Sequence, residues 1–222
     1  MEQRPSPNHD ERPAGTIIDM LVLHYTGMES AEAAIDRLCD PQAKVSAHYV
    51  VHENGHTVQL VAEEYRAWHA GVAFWRGNRN INARSIGIEL VNPGHEFGLK
   101  AFPEEQMAAL ETLVLEIIQR HPIPGRNVVG HSDVAPRRKE DPGELFDWFR
   151  LHKYGIGLWP EDGQGIDMDE QQAGILLQDF GYEIEDMGKT LAAFQRHFRP
   201  AEINGKLDEE TAGLLKSLSS LC

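Results

Sequence analysis

The apolar positions of this chain follow two rhythms, one suited to buried strands and one to helices. Residues 17–26, IIDMLVLHYT, hold a β-branched apolar run and predict a buried strand. Residues 30–39, SAEAAIDRLC, place apolar side chains at helical spacing behind Ser30, a suitable N-cap. The stretch 47–61 reads as two strands around Asn54-Gly55, a dipeptide that favours a tight hairpin turn. Further strands are predicted at 85–92, SIGIELVN, and 127–131, NVVGH. The clearest helix is 103–121, where Pro103 suits the first turn and Glu104 and Glu105 suit the positive end of the dipole. Strands alternating with helices in this way predict an α/β fold: a central mixed β-sheet flanked by helices.

After WPEDGQG (159–165) only the helical rhythm continues, at about 168–180, 187–198 and 208–219. Asn204-Gly205 supplies a turn there, and Asp208 caps the last helix. The Pro, Gly and acidic content of 159–165 reads as a linker. The predicted domains are therefore 1–160 and a small three-helix C-terminal domain at 165–222. Each predicted helix in 165–222 has its own apolar face, so a separate core, few contacts across the linker and independent folding of a chain ending near 163 are expected.

Composition narrows the function. The 222 residues carry 21 Lys and Arg against 35 Asp and Glu, a formal charge of −14, which argues against a nucleic-acid partner that must neutralise phosphates. No apolar run reaches the roughly 20 residues of a membrane span, so no transmembrane segment is expected. The opening residues, MEQRPSPNHDERPAG, lack a basic start followed by an apolar stretch, which favours the cytoplasm, with the periplasm as the alternative. Two cysteines, Cys39 and Cys222, make no disulfide framework. Histidine stands out: 11 residues, nearly all before the linker.

Three ligand-type residues fall at predicted strand ends or just beyond: His24, His131 and, ten residues on, Asp141. Two imidazoles and a carboxylate form a three-ligand zinc set that leaves a fourth position for water. Lys139 lies two residues before Asp141, on the same side of an extended segment, where an ammonium stabilises an oxyanion. Glu89 is a lone acid in an apolar strand and needs either a partner, such as an arginine, or a task such as general base. His52, His56, His69 and His95 are further candidates that spacing does not rank.

Five blocks occur in order: VLHYTG (22–27), SAHYVVHENG (46–55), AWHAG (67–71), NARSIGIELVN (82–92) and GHSDVAPRRKEDPG (130–143). Together they resemble the zinc-dependent N-acetylmuramoyl-L-alanine amidases of the peptidoglycan-recognition-protein superfamily, over about residues 15–150. The resemblance implies one zinc per chain on His24, His131 and Asp141, a catalytic role for Glu89 and Lys139, and substrate contacts from His69 and Arg138. Some phage relatives use a tyrosine just before the position of His48; this chain has Ala47, so the base role falls to Glu89. FGY (180–182), AFQRHF (193–198) and NGKLDEETAGLL (204–215) resemble a helical peptidoglycan-binding domain. The implied reaction is hydrolysis of the amide between the lactyl group of N-acetylmuramic acid and L-alanine, in peptidoglycan or an anhydro-muropeptide. The alternative is a muropeptide-binding protein without activity, a use of the same fold; Asp141 argues for the enzyme, since binding-only members typically lack the third ligand. An unrelated zinc peptidase is disfavoured because no HExxH occurs.

Overall fold

The computed structural model describes residues 1–161 and 164–221. Cys222, and Asp162 and Gly163 within the expected linker, lie outside the described residues. The main sheet has six strands: β1 (Glu2–Gln3), β3 (Met20–Tyr25), β4 (Tyr49–Val51), β5 (Thr57–Gln59), β7 (Ser85–Leu90) and β8 (Val128–Gly130). Their spatial order is β1-β5-β4-β7-β3-β8. β3 is parallel to both β7 and β8, and β4 is parallel to β7 but antiparallel to β5. A separate antiparallel pair joins β2 (His9–Glu11) to β6 (Tyr65–Ala67). The mixed sheet and the Asn54-Gly55 hairpin are as expected. The strand expected from residue 17 begins only at Met20, because Ile17 is 65% exposed and Asp19 turns aside to pair with Arg84.

Helices α1 (Ala31–Cys39) and α4 (Glu104–Arg120) flank the sheet, with shorter turns at α2 (Ile81–Arg84), α3 (Gly94–Phe97), α5 (His131–Val134) and α6 (Trp148–Lys153). Ser30 caps α1 as predicted, accepting from the Ala33 N–H, while Pro103 sits one residue before α4 begins. The side-chain period of two then divides the central strands. Leu21 and Leu23 of β3, with Ile86, Ile88 and Leu90 of β7, pack against Met107, Leu110, Val114 and Ile117 of α4. Met20, Val22 and His24, with Ser85, Gly87 and Glu89, therefore occupy the opposite face.

That second face is where the C-terminal helices dock: α7 (Glu170–Phe180), α8 (Met187–Phe198) and α9 (Glu209–Ser219), capped by Asp169, Asp186 and Asp208. Their apolar residues do not form a core of their own. Leu177, Phe180, Tyr182, Phe194 and Leu215 join Met20, Val22, Trp75 and Val129 in one cluster. Trp75 is fully buried, with its ring 5.6 Å from Phe180 and 5.1 Å from Tyr182, centroid to centroid. Contacts across the linker are therefore extensive, contrary to the expectation from its composition. The apolar faces read from the sequence are real, but they join one cluster with residues of the sheet.

Candidate active site

The strand register brings the first two site residues together. His24 and Glu89 are directly paired across β3 and β7, so their side chains rise side by side from the face away from α4. His131 opens α5 at the end of the neighbouring strand β8. Asp141 comes back from the following loop, its carbonyl accepting from the Ser132 N–H at 2.9 Å. Gly130 permits this approach: a Cβ there would lie 2.7 Å from Pro142 Cδ. The outcome is a triangle of ligand atoms. His24 Nδ1 is 3.0 Å from His131 Nδ1 and 2.9 Å from Asp141 Oδ2, and His131 Nδ1 is 3.0 Å from the same oxygen.

The surrounding hydrogen bonds fix which nitrogens carry protons. The Ser85 hydroxyl donates to the Ile81 carbonyl at 2.8 Å, so it accepts from His69 Nε2–H at 3.1 Å. His69 Nδ1 is then an acceptor, 3.1 Å from His24 Nε2, which must donate. His24 Nδ1 is left with a bare lone pair facing the triangle. His131 reaches the same condition by another route: its Nε2–H donates to the Ala70 carbonyl at 3.0 Å. Burial, followed by the neighbouring His131, lowers the His24 pKa to about 4, so its imidazole is neutral at pH 7. Burial also holds His69 well below the usual range. Burial would raise the Asp141 pKa, but His131 and His24 hold it below the ordinary carboxylate range.

Three lone-pair atoms about 3 Å apart, with no proton to share, repel one another unless a cation sits between them. His24, His131 and Asp141 are all buried and are able to hold a metal ion. The triangle's edges are slightly shorter than the roughly 3.3 Å between ligand atoms of a tetrahedral zinc bound at 2.0–2.1 Å. The donor chemistry and spacing therefore suit zinc, and each histidine has the outer hydrogen bond that orients a metal-binding imidazole.

The triangle opens into a cleft of about 660 Å³ whose lining includes Glu89, Lys139, Arg138 and His69, together with Arg37 and Phe97. Glu89 Oε2 is sealed from solvent and has no hydrogen-bond partner among the described residues. Burial, reinforced by the charge of Asp141 and opposed by Lys139, pushes the Glu89 pKa well above the usual carboxylate range. Among the described residues no arginine pairs with Glu89, so the arginine partner that its place in an apolar strand allows is not found. His69 uses both ring nitrogens on the protein and lies over Gly87, where a Cβ would come within 2.4 Å of its ring. Arg138 donates to the Ala70 carbonyl at 2.9 Å and to the Val72 carbonyl at 2.7 Å, bracing the carbonyl that orients His131. His56 instead binds Glu2, His95 bridges Tyr25 and Glu144, and buried His48 accepts from the Gly87 N–H. Ser85 and the Ala70 carbonyl were not anticipated from sequence; only the serine opening SIGIEL, on the same strand face as Glu89, hinted at the former.

A buried His-His-Asp group able to hold a metal ion, with a carboxylate beside it at the carboxyl ends of parallel strands, marks a hydrolase of the mixed-sheet α/β class. A sequence profile of the N-acetylmuramoyl-L-alanine amidase family matches residues 14–144. The chain is 40% identical to N-acetylmuramoyl-L-alanine amidase AmiD of Escherichia coli, over 90% of this chain and 82% of that protein. It is 38% identical to 1,6-anhydro-N-acetylmuramyl-L-alanine amidase AmpD of Enterobacter cloacae, over 67% of this chain and 86% of that protein. The structure of E. coli AmiD in complex with anhydro-N-acetylmuramic acid-L-Ala-D-γ-Glu-L-Lys superposes with a TM-score of 0.84 at 35% identity, covering 95% of this chain and 93% of that one. The chain belongs to the N-acetylmuramoyl-L-alanine amidase family.

Proposed function

We propose that this chain binds one zinc ion through His24, His131 and Asp141 and hydrolyses the amide between the lactyl group of N-acetylmuramic acid and L-alanine. The observation carrying this reading is the triangle of three unprotonated ligand atoms beside the Glu89 carboxylate, whose Oε2 is buried with no hydrogen-bond partner among the described residues. A zinc ion there would polarise the scissile carbonyl and acidify the attacking water. Glu89 takes a proton from that water and returns it to the nitrogen of L-alanine as the C–N bond breaks. Its raised pKa suits both halves of the exchange, and a bound cation, by offsetting the charge of Asp141, moderates the rise. Lys139 holds the negative charge that develops on the carbonyl oxygen. Arg138 Nη1 makes no hydrogen bond among the described residues and is available to an anionic group of the muropeptide, while His69 offers the substrate only its ring surface.

Residues 1–160 form the catalytic domain in this reading, and 165–222 a peptidoglycan-binding-like domain. The anhydro-muropeptides named for the relatives are the expected small substrates. No helix among the described residues is long and apolar enough to cross a membrane. Assays on purified anhydro-muropeptide and on intact sacculi, each with and without chelator, test the reading. Release of L-alanyl peptide that stops with chelator and returns with zinc is the expected result. Activity on the small substrate alone goes with a cytoplasmic role, and activity on sacculi with the periplasm. Muropeptide binding without cleavage by zinc-loaded protein would point instead to the recognition role.

A further inference from the structure

Two of the three ligands, His131 and Asp141, lie in one stretch, 130–144, and the C-terminal helices grip that stretch at both ends. Near its start, Asp133 is 1% exposed and accepts three hydrogen bonds. Gly130 N–H donates to Oδ2 at 2.7 Å, Tyr182 OH to Oδ1 at 2.6 Å and His197 Nδ1–H to Oδ2 at 2.8 Å. Gly130 immediately precedes His131, whereas Tyr182 and His197 belong to the C-terminal segment. At the far end, Arg196 of α8 reaches Glu140 at 3.3 Å and Glu144 at 3.8 Å, one on each side of Asp141. The ring of His197 stacks on Trp148 with centroids 3.8 Å apart, which aims its Nδ1 at Asp133.

We propose that Tyr182 and His197 are positioning residues of the metal site: through Asp133 they clasp the β8–α5 junction and hold His131 in its ligating orientation. This rests on the zinc reading above, and it gives the C-terminal helices a role in catalysis apart from any contact with the cell wall. The physical case has three parts. Helix α5 is four residues long, too short to be stable by itself. A carboxylate this deeply buried is tolerated only with donors of this quality, and two of its three come from the C-terminal segment. The Ser132 N–H donates to the Asp141 carbonyl at 2.9 Å, and the space above Gly130 has no room for a Cβ beside Pro142, so a shift of the junction displaces Asp141 as well as His131.

Three substitutions in the full-length protein separate this role from general stabilisation. Tyr182→Phe removes one donor oxygen. His197→Phe keeps the stack on Trp148 but loses the donor. His197→Asn keeps a donor nitrogen near the position of Nδ1 but loses the stack. Zinc affinity is measured by competition with a chromophoric chelator, coordination by the visible spectrum of the Co²⁺-substituted protein, and stability by thermal melting. Tyr182→Phe and His197→Phe are expected to weaken zinc binding by about three- to tenfold, at or below the low end for direct outer hydrogen-bond partners, and to shift the Co²⁺ bands. His197→Asn is expected to lower Tm while keeping the wild-type zinc affinity. The clasp is overturned if folded Tyr182→Phe and His197→Phe keep the wild-type affinity and spectrum, or if affinity follows the loss of the ring instead of the donor. Should His197→Phe not fold, Tyr182→Phe, a single-atom deletion, decides alone. A wild-type protein that takes up no zinc would overturn the metal reading itself, and the clasp with it.

Discussion

Replacing Ser85 by alanine removes a single oxygen from a fully buried position and thereby breaks the chain that sets the His24 tautomer. Two hydrogen bonds go: the 2.8 Å bond to the Ile81 carbonyl and the 3.1 Å bond accepted from His69. His69 Nε2–H is left without an acceptor, a buried orphan donor costing about 1–3 kcal/mol. The ring can avoid that cost by moving its proton to Nδ1, where it faces His24 Nε2 at 3.1 Å. His24 must then shift its own proton to Nδ1, the ligand atom. Zinc binding has to reverse both shifts, so the same 1–3 kcal/mol is subtracted from metal affinity, and the zinc Kd rises about 5- to 150-fold. The assay is chelator competition near pH 7.5, with turnover followed as zinc is added back. The expected variant is weak in zinc binding yet recovers most of its kcat at saturating metal, because Glu89 and Lys139 are untouched. A folded Ser85→Ala protein with the wild-type zinc Kd would refute the claim that this chain orients His24.

The other expectations concern the chemistry and the fold. Glu89→Gln should retain zinc and fold while kcat falls about 10²- to 10⁴-fold, the usual contribution of a general acid–base group; turnover near the wild-type rate in zinc-loaded protein would remove Glu89 from that role. His131→Ala and Asp141→Ala should lose stoichiometric zinc, and metal analysis showing full occupancy in both would refute the ligand assignment. At Glu63, burial would raise the pKa, but bonds from Arg120, Tyr49 and His121 outweigh it and bring it down to about 2. A depressed carboxylate contributes stability that is complete above its unfolded pKa and lost as pH falls through the folded value. Glu63→Gln should therefore destabilise by about 2 kcal/mol at pH 7, with the gap in urea midpoint closing between about pH 4.5 and 2; a gap that is constant with pH would count against the ion cluster. A chain ending at Pro160 uncovers Trp75 and leaves Asp133 without Tyr182 and His197. It should melt well below the full chain or aggregate, at a cost of at least about 3 kcal/mol, and an unchanged Tm would show that the C-terminal helices are dispensable for the core.

What could be read from the sequence is what local chemistry controls. β3, the β4–β5 hairpin, α4 and the three C-terminal helices carry their own periodicity, caps or turn residues, and each was predicted close to where it lies. The four-residue helices α2, α3 and α5 and the short polar strands β1, β2 and β6 have no such signal, because non-local partners hold them in place: β1 is formed by pairing with β5, and α5 sits where Asp133 ties it. The site divides in the same way. Residue type, with His24 and His131 at or just past strand ends and Asp141 ten residues on, was enough to nominate the three, since only certain side chains ligate a metal and strand ends are where they converge. Tertiary structure alone decided which nitrogen of each histidine is bare, because that depends on a carbonyl at Ile81, a hydroxyl at Ser85 and a carbonyl at Ala70, whose meeting no spacing records. It likewise decided that the C-terminal helices share a core with the sheet: an apolar helix face shows in sequence that it must be covered, but not by what, and here part of the cover is Trp75, Met20 and Val22.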